Sequence, residues 1–494
     1  MPSAYDALLE HLARVDALDR AAGRLRWDQE TYMPPGGARA RAAELATLSA
    51  LSHERFTADE VGDLLAQAEA EEEDPVRQAL LRETRWAYDR QTQVPGKLVE
   101  EISQATSEAF QAWTQAKAED DWPSFQGHLA RLVELKQRYA AAIDPSGDPY
   151  EVLFQDYEPW LDLTASRATL QELRDGLVPL VEQAPDGQAG AELSGPWPLP
   201  AQRALAQRVL DLLGYDRDRG RLDESPHPFT SGNVYDVRIT TRLDEEDLVT
   251  GLTSTIHEFG HAAYTQGLPT DHFGTPLCEG RDLVVHESQS RFWENHVGRS
   301  LPFWRVLTPL IDQAFPDRTG ALDPERAWRA ANQVAPTLIR VDSDELTYHL
   351  HIVLRMEIEQ ALIHGELEAS DVPGAWNERM QAYLGIEVPS DREGCLQDVH
   401  WAHGAFGYFP TYSLGSLLAA QLAGAYEEEK GSLAATIEAG GFEEVGSWMG
   451  ERIHQHGKRY TTPELIERAT GAPLSPEAFL GYARTKFEQV WERA

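Results

Sequence analysis

The stretch His257-Glu258-Phe259-Gly260-His261 decides how the rest of this sequence is interpreted. Asp244 is a suitable N-cap for a helix that would run through this stretch and end at Gly267. Residues four positions apart lie on one face of a helix, about one turn apart. The two imidazoles can therefore bind one metal ion. Glu258, offset by one position, would lie beside that ion, where its carboxylate can accept a proton from bound water.

A third ligand is expected downstream, because catalytic zinc sites use three protein ligands and leave one position open. The segment His286-Glu287-Ser288-Gln289-Ser290-Arg291 supplies Glu287 for this role. Glu279 and Glu294 are competing carboxylates, and an ion pair with Arg291 is the alternative role for Glu287. The predicted cofactor is one divalent metal ion, expected to be zinc, although cobalt and manganese also accept two histidines and a glutamate.

The bulk composition restricts the classes of partner. The 494 residues include 44 Lys and Arg against 81 Asp and Glu, which gives a formal net charge of -37. Such a surface repels nucleic acids and anionic lipids, so we expect neither as a partner. Cys278 and Cys395 lie far apart, which indicates a reducing compartment rather than a disulfide framework. With no leader-like start and no apolar span of membrane length, a cytoplasmic location is predicted.

The spacing of apolar residues predicts a mainly helical protein with one short sheet. Across residues 5–180 apolar side chains recur three and four positions apart, and the segments 33–37 and 144–149 are expected to break the helices. At residues 235–241 the period changes to two, which predicts a strand with one polar face. The side chains on that face would be Asp236, Arg238 and Thr240.

Several further motifs are spread over nearly the whole chain. In chain order they are Leu25-Arg26-Trp27-Asp28-Gln29-Glu30-Thr31-Tyr32-Met33-Pro34, His227-Pro228-Phe229, Asp236-x-Arg238-x-Thr240, His286-Glu287-Ser288-Gln289, Ile339-Arg340 with Asp344-Glu345, and Gly394-x-x-Gln397-Asp398-x-His400-Trp401. Together with the stretch at 257–261 they resemble the carboxypeptidase Taq family of metallocarboxypeptidases. One departure is Ser343, where the family pattern has alanine.

The resemblance implies a mainly α, large helical, saddle-like peptidase fold with a deep groove and a small antiparallel sheet at the active site. It also implies a homodimer that releases single C-terminal amino acids, with broad specificity, from peptides with a free C-terminus. An oligoendopeptidase or a dipeptidyl carboxypeptidase on the same scaffold is the alternative. Amidation of the peptide C-terminus distinguishes these activities, because only a carboxypeptidase requires the free carboxylate.

The chain is expected to divide near a proline-rich connection at residues 183–200. Residues 1–195 would form an N-terminal helical half that makes one wall of the groove. Residues 196–494 would form a catalytic half that contains the metal site. Together the two halves would make one peptidase domain.

A carboxypeptidase must bind the terminal carboxylate of its substrate at a set distance from the metal. The planar guanidinium of arginine suits this task, because it can form two parallel hydrogen bonds to a carboxylate. Arg340 occupies the family motif and is the predicted anchor, with an ion pair to Asp342 or Asp344 as its alternative role. Arg238 is the second candidate.

Hydrolysis also needs donors where negative charge develops on the carbonyl oxygen. His400 and Tyr412 resemble the donor pair of related helical peptidases, and Tyr408 is the alternative to Tyr412. Aromatic packing would be the ordinary role of these tyrosines. Asp398 is expected to orient His400 or a zinc ligand, with a plain structural hydrogen bond as its alternative role. His227 is predicted to lie on the groove wall, beside a strand edge that binds the substrate backbone.

Overall fold

The computed structural model describes residues 3–185, 193, 195–318 and 321–491. The described residues form twenty α-helices, one three-stranded sheet and one π-helical segment, so the predicted mainly α class is confirmed. The helices before the sheet are α1 (Ala4–Thr31), α2 (Ala38–Phe56), α3 (Asp59–Glu71), α4 (Pro75–Gln93), α5 (Gly96–Glu119), α6 (Trp122–Ile143), α7 (Pro149–Gln155), α8 (Leu163–Val181) and α9 (Leu199–Leu213).

The sheet consists of β1 (Gly220–Glu224), β2 (Thr230–Asn233) and β3 (Asp236–Thr241). The π-helical segment is Phe292–Gly298. The helices after the sheet are α10 (Leu248–Gln266), α11 (Leu283–Arg291), α12 (Leu301–Ala314), α13 (Pro324–Ala331), α14 (Thr347–Ile363), α15 (Val372–Leu384), α16 (Pro410–Lys430), α17 (Leu433–Glu438), α18 (Phe442–Arg452), α19 (Thr462–Thr470) and α20 (Glu477–Trp491).

Local capping chemistry explains the limits of the N-terminal helices. At the start of α4 the carboxylate of Asp74 accepts the backbone N–H of Val76 at 2.9 Å, and at the start of α7 Asp148 accepts that of Tyr150 at 2.8 Å. In both helices proline follows the capping aspartate, at a position whose N–H needs no partner inside the helix. The two predicted breaks are confirmed, since they separate α1 from α2 and α6 from α7.

Helix α10 contains the stretch at 257–261, but it does not begin where predicted. Its N-cap is Asp247, whose carboxylate accepts the N–H of Thr250 at 3.1 Å, and not Asp244. Asp244 lies in the preceding turn, where it accepts the N–H of Glu246 at 2.9 Å. The turn between the two aspartates delays the helix by three residues. Gly267 is the C-cap, as predicted.

The sheet is mixed, so the prediction of an antiparallel sheet was wrong. Strand β3 is central; β2 pairs with it in antiparallel orientation and β1 in parallel orientation. The physical reason is the connection at residues 225–229. This segment carries the chain from β1, at one edge of the sheet, to β2, at the other edge. The tight turn after β2 then places β3 between them.

The predicted polar face of β3 is only partly exposed. Asp236 and Arg238 are half-buried, but Thr240 is fully buried. Its hydroxyl accepts hydrogen bonds from Ser225 Oγ at 2.7 Å and from the N–H of Phe229 at 2.9 Å. Thr240 therefore anchors the connection between β1 and β2 and is not available to a substrate.

One hydrophobic core runs through both sequence halves. It includes Trp122 and Leu173 from the first half and Phe259, Trp293 and Leu417 from the second. A smaller cluster joins α1, α3 and α4 to Leu277. Of the predicted connection, residues 186–192 and 194 lie outside the described residues. Within the described parts of the chain, every helix is too short or too polar to cross a membrane.

Two glycines allow three helices to approach one another at the centre of the molecule. A Cβ atom at Gly260 of α10 would lie 2.5 Å from the carbonyl oxygen of Gln289 and 2.6 Å from Cα of Ser290. A Cβ atom at Gly415 of α16 would lie 2.7 Å from Cβ of Glu287. Side chains do not fit at such distances. Helix α11 is therefore packed against α10 and α16 at positions where only glycine is tolerated.

Replacing Gly260 with alanine is expected to lower the free energy of unfolding by about 1–3 kcal/mol, because the new methyl group meets backbone atoms that cannot move aside. Gly446 in α18 is the matched control, since a Cβ atom there has open space around it. Alanine at that position should be neutral or stabilise by up to about 1 kcal/mol. Denaturant unfolding followed by circular dichroism measures both effects, and equal midpoints for the two variants would contradict this packing argument.

Candidate metal centre and active site

The three predicted metal ligands lie close together. His257 and His261 project from α10, and Glu287 projects from α11. Glu287 Oε2 is 3.7 Å from His257 Nε2 and 3.5 Å from His261 Nε2, and the three donor atoms lie within 4.8 Å of one another. Tetrahedral coordination with bonds of about 2.0–2.1 Å separates neighbouring ligand atoms by about 3.4 Å. The spacing and chemistry of these donors therefore fit a divalent ion of the zinc type.

Positive neighbours keep Glu287 ionised. Arg291 Nε donates to its Oε1 at 2.7 Å, and Ser290 Oγ donates to its Oε2 at 3.1 Å. Burial alone would raise the pKa of Glu287, but Arg291, followed by His257 and His261, holds this pKa well below its ordinary value. Glu287 therefore forms the ion pair with Arg291 that was its alternative role, and it also lies close to the two histidines.

Each histidine of the pair has its Nδ1 atom occupied by a different partner. His257 Nδ1 lies 2.9 Å from Glu294 Oε2, and His261 Nδ1 lies 2.7 Å from His286 Nδ1. Burial lowers the pKa of His286 to about 3, so this ring is neutral and can accept a hydrogen bond. Both contacts leave Nε2 of His257 and His261 directed to the point shared with Glu287.

The two competing carboxylates do not join the three donors. Glu294 lies behind His257. It also pairs with Arg291, whose Nη1 is 3.1 Å from Oε2, and with Arg299, whose Nε is 3.5 Å from Oε1. Burial would raise the pKa of Glu294, but Arg291 and His257 lower it to about 2. Glu279 is half exposed and pairs with Lys458 at 2.6 Å. Glu294 is therefore a partner of the metal-facing histidine, and Glu279 is a surface residue.

Glu258 is buried beside His257 and is held by the sheet. Thr230, the first residue of β2, donates its hydroxyl to Glu258 Oε2 at 2.6 Å and lies 3.1 Å from the carbonyl oxygen of the same residue. The strand therefore determines where this carboxylate points. The sequence analysis did not identify Thr230, because its role depends on the packing of β2 against α10.

A second charged cluster surrounds Asp398. Arg340, in the 3₁₀ turn Arg340–Asp342, donates from Nη2 and Nε to Asp398 Oδ1 at 2.8 and 3.2 Å. Arg355 of α14 donates to Oδ2 at 2.6 Å. Burial would raise the pKa of Asp398, but these two guanidinium groups hold it far below its ordinary value. The predicted alternative partner Asp344 instead accepts the N–H groups of Leu346 and Thr347.

The Asp398 cluster has an excess of positive charge next to the metal centre. Two buried arginines face one carboxylate, which leaves one positive charge without an acidic partner in this cluster. The ring of Tyr348 connects this cluster to the metal centre. The guanidinium of Arg291 lies 4.7 Å from the ring centroid and that of Arg340 lies 5.9 Å from it. A negatively charged ligand bound near the metal would be stabilised here.

Three of the predicted site residues form an aromatic cluster. The His400 ring centroid is 5.5 Å from that of Tyr408 and 6.5 Å from that of Tyr412, and the two tyrosine rings are 5.1 Å apart. Burial lowers the pKa of His400 to about 4, so the ring is neutral near pH 7. Asp398 Oδ1 is 3.7 Å from His400 Nδ1, which is beyond hydrogen-bond distance.

The pKa values of the two tyrosine hydroxyls are raised. Burial raises the pKa of Tyr408, and the negative charge of Glu287 adds to this increase, while Tyr412 and Arg340 oppose it. Burial also raises the pKa of Tyr412 well above its ordinary value. Both tyrosines are therefore protonated at neutral pH and can donate hydrogen bonds.

Two predicted substrate-binding residues lie apart from these clusters. Arg238 pairs with Asp236 at 2.8 Å, stacks over the Trp27 ring at 4.5 Å, and lines a cavity of about 330 Å³. His286 lines the same cavity and an adjoining one of about 670 Å³. His227 has an exposed side chain, and no contact among the described residues joins its imidazole to the other site residues. The structure therefore places Arg238 on the wall of a cavity that reaches His286, the hydrogen-bond partner of His261, and His227 at the surface.

Comparison with known proteins agrees with this geometry. The model of the carboxypeptidase Taq (M32) metallopeptidase family matches residues 7–487. Thermostable carboxypeptidase 1 of Thermus thermophilus is 40% identical over 99% of each chain, and carboxypeptidase 1 of Bacillus subtilis is 36% identical over 97% of each. The crystal structure of an M32 carboxypeptidase from Deinococcus radiodurans has a TM-score of 0.96 at 35% identity and covers 99% of each chain. The chain therefore belongs to the carboxypeptidase Taq (M32) family of metallopeptidases.

Proposed function

We propose that His257, His261 and Glu287 hold the metal ion with which this metallocarboxypeptidase releases C-terminal amino acids from peptides. The observation that carries this assignment is the convergence of three donor atoms within 4.8 Å of one another, with Glu287 3.7 and 3.5 Å from the two imidazole nitrogens. When bound, a divalent ion polarises a peptide carbonyl and lowers the pKa of a water ligand to about 7. The chain's own residues then position the water, the carbonyl and the terminal carboxylate.

Glu258 is the proposed general base and acid. Its carboxylate takes a proton from the attacking water and later returns that proton to the leaving amine. The hydrogen bond from Thr230 at 2.6 Å fixes one oxygen, so the other oxygen is available for the proton. Because Glu258 follows His257 directly on α10, the base stays close to the metal ligands.

Replacing Glu258 with glutamine should reduce kcat by about 10²–10⁴-fold, since the amide keeps the shape of the side chain but cannot accept the proton. The variant should still bind one metal ion per chain. Release of free amino acid from a peptide, measured together with metal content, checks both expectations. Full turnover by the metal-loaded variant would contradict the assignment.

Arg340 is the proposed anchor for the terminal carboxylate of the substrate. Asp398 engages Nε and Nη2 of its guanidinium. Nη1 makes one hydrogen bond of 3.4 Å to the Tyr348 hydroxyl, which leaves its second N–H for a substrate carboxylate. Arg355 holds the other oxygen of Asp398, so the orientation of Arg340 is fixed before a peptide binds. The unbalanced positive charge of this cluster supports the same role, because a substrate carboxylate would neutralise it.

Arg340→Met should remove the preference for peptides with a free C-terminus. A hydrogen bond to a charged group contributes about 1.5–3 kcal/mol, so kcat/KM for the free acid should fall about 10–150-fold. The already low rate on the C-terminally amidated peptide should change little. Arg305→Met is the control, since Arg305 pairs with Glu438 on the surface. A wild-type enzyme that cleaves both peptides equally would instead support the oligoendopeptidase alternative.

His400 and Tyr408 or Tyr412 are the proposed donors to the developing oxyanion. All three side chains are neutral near pH 7. The imidazole then keeps one N–H and each tyrosine keeps its hydroxyl proton, so each can donate a hydrogen bond. Aromatic contacts keep the three rings together before substrate binds.

Glu294 and His286 are proposed to orient the metal-binding imidazoles. A carboxylate on the Nδ1 atom of a histidine ligand fixes its tautomer and raises its basicity. Glu294→Gln should therefore weaken metal binding by about 10–100-fold. Glu279→Gln is the control, because that carboxylate pairs with Lys458 away from the three donors. Competition with a chromophoric chelator measures the affinity, and equal affinities for the two variants would exclude this role for Glu294.

The proposal also covers the identity of the metal, the oligomeric state and the cellular location. The bound ion is proposed to be zinc, which elemental analysis of protein purified without added metal would test. The enzyme is proposed to be a homodimer, so sedimentation should give twice the 55.2 kDa chain mass and not a monomer. A cytoplasmic location fits the two free, buried cysteines, and fractionation of the source cells would test it.

The two sequence halves are proposed to have different roles in the enzyme. Residues 1–195 are proposed to form one wall of the substrate groove and residues 196–494 to contain the metal site. Asp16 and Arg20 of α1 line the same cavity as Ser231 of β2 and His286, which supports this arrangement. A crosslink from a peptide substrate to α1 would agree with it, and the absence of any substrate contact to residues 1–195 would contradict it.

A further inference from the structure

Helix α14 carries ionisable side chains that are completely buried. Arg355 and Glu359, one helical turn apart, are both 0% exposed. Burying such groups costs several kcal/mol unless each is fully hydrogen-bonded. Arg355 orients the carboxylate partner of Arg340, but the proposed reaction has no role for Glu359. Burial raises the pKa of Glu359 to about 7, against the effect of its hydrogen bonds. A carboxylate retained at this cost needs an explanation.

The hydrogen bonds of Glu359 join both ends of one short segment. Its Oε1 accepts Trp401 Nε1 at 2.9 Å, and its Oε2 accepts the N–H of Gly407 at 3.0 Å. Trp401 directly follows His400, and Gly407 directly precedes Tyr408. One buried carboxylate therefore binds the chain next to each of these two residues. The third donor is the Tyr150 hydroxyl of α7, at 2.9 Å from Oε2.

The segment 401–407 is confined from other sides as well. Gly407 has φ 84°, and a Cβ atom there would lie 2.7 Å from the backbone nitrogen of Phe154 in α7. Upstream, Arg355 donates to Gln397 Oε1 at 2.7 Å and to Asp398 at 2.6 Å. Helix α14 thus holds the chain before His400 through Arg355, and on both sides of the 401–407 segment through Glu359.

We propose that Glu359 is a positioning residue for peptide hydrolysis: by binding Trp401 and Gly407 it sets the separation and orientation of His400 and Tyr408. This inference rests on the proposed function, because it uses the donor role proposed there for His400 and takes Tyr408 as the second donor. The rings of His400 and Tyr408 have centroids 5.5 Å apart and no hydrogen bond between them among the described contacts. Their separation therefore depends on ring packing and on the chain that connects them.

A carboxylate suits this position better than an amide does. The indole N–H of Trp401 and the backbone N–H of Gly407 can only donate, so both oxygens of Glu359 must accept. A glutamine would turn its NH₂ group toward one of the two donors and leave that N–H without a partner. The Tyr150 hydroxyl can rotate to accept, so it does not impose the same requirement.

The test compares Glu359→Gln with Glu357→Gln at pH 8, where the ionised form of Glu359 dominates. Glu357 lies on the same helix, but its carboxylate binds Arg174 at 2.8 Å and Arg379 at 2.9 Å. We expect kcat of Glu359→Gln to fall about 10–100-fold, the effect of a small displacement of catalytic groups, while KM and metal content stay within about two-fold of the wild type. Glu357→Gln should keep the wild-type kcat.

Hydrogen–deuterium exchange provides a readout that does not depend on activity. The backbone amides of residues 400–408 should exchange faster in Glu359→Gln than in the wild type or in Glu357→Gln. Trp401→Phe removes the indole N–H together with part of the ring volume, and it keeps the test possible if the glutamine variant does not fold. This variant should also show a lower kcat and faster exchange of the amides of residues 400–408.

Unchanged exchange in both Glu359→Gln and Trp401→Phe would overturn the proposal, and so would faster exchange without a loss of kcat. Failure of the proposed function has a different signature. It would appear in the wild-type enzyme, as equal cleavage of free and amidated peptides, and in full turnover by Glu258→Gln. The exchange experiment is unaffected by that outcome.

Discussion

The double ion pair of Arg291 is the interaction on which the rest of this active site depends. Its guanidinium binds Glu287 at 2.7 Å and Glu294 at 3.1 Å, in a region where burial alone would raise the pKa of both carboxylates. Arg291, together with His257, opposes this effect and holds both pKa values below the ordinary value. In the ionised state Glu287 can act as an anionic ligand, and Glu294 can accept a hydrogen bond from His257.

Helix α14 connects the separate parts of the site. Tyr348 lies between the guanidinium groups of Arg291 and Arg340, Arg355 holds Asp398, and Glu359 holds the segment that follows His400. The proposed metal centre, carboxylate anchor and oxyanion donors are therefore attached to one buried element. This arrangement explains why α14 contains buried charged residues where an ordinary core helix would be apolar. The energetic cost of burying them is offset by hydrogen bonds that also orient the catalytic groups.

The elements that the sequence analysis predicted wrongly share one physical cause. The N-cap of α10 is Asp247 and not the predicted Asp244, because a turn precedes the helix. The sheet is mixed because residues 225–229 cross to its other edge, and this crossing also buries Thr240. Each outcome depends on how neighbouring elements pack, and such packing does not appear in local periodicity or in capping preferences.

The sequence by itself determined the helical class, the family, and the two histidines and Glu258 on one helix, because periods of three to four residues and the spacing of a short motif are local properties. The motif at residues 286–289 also indicated Glu287, but not the choice between a metal ligand and a partner of Arg291. Only the tertiary structure decided that Glu287 faces the histidine pair while binding Arg291. It also decided that Arg340 pairs with Asp398 and that Thr230 and Glu359 support the site. These contacts join residues far apart in the chain, and packing alone brings them together.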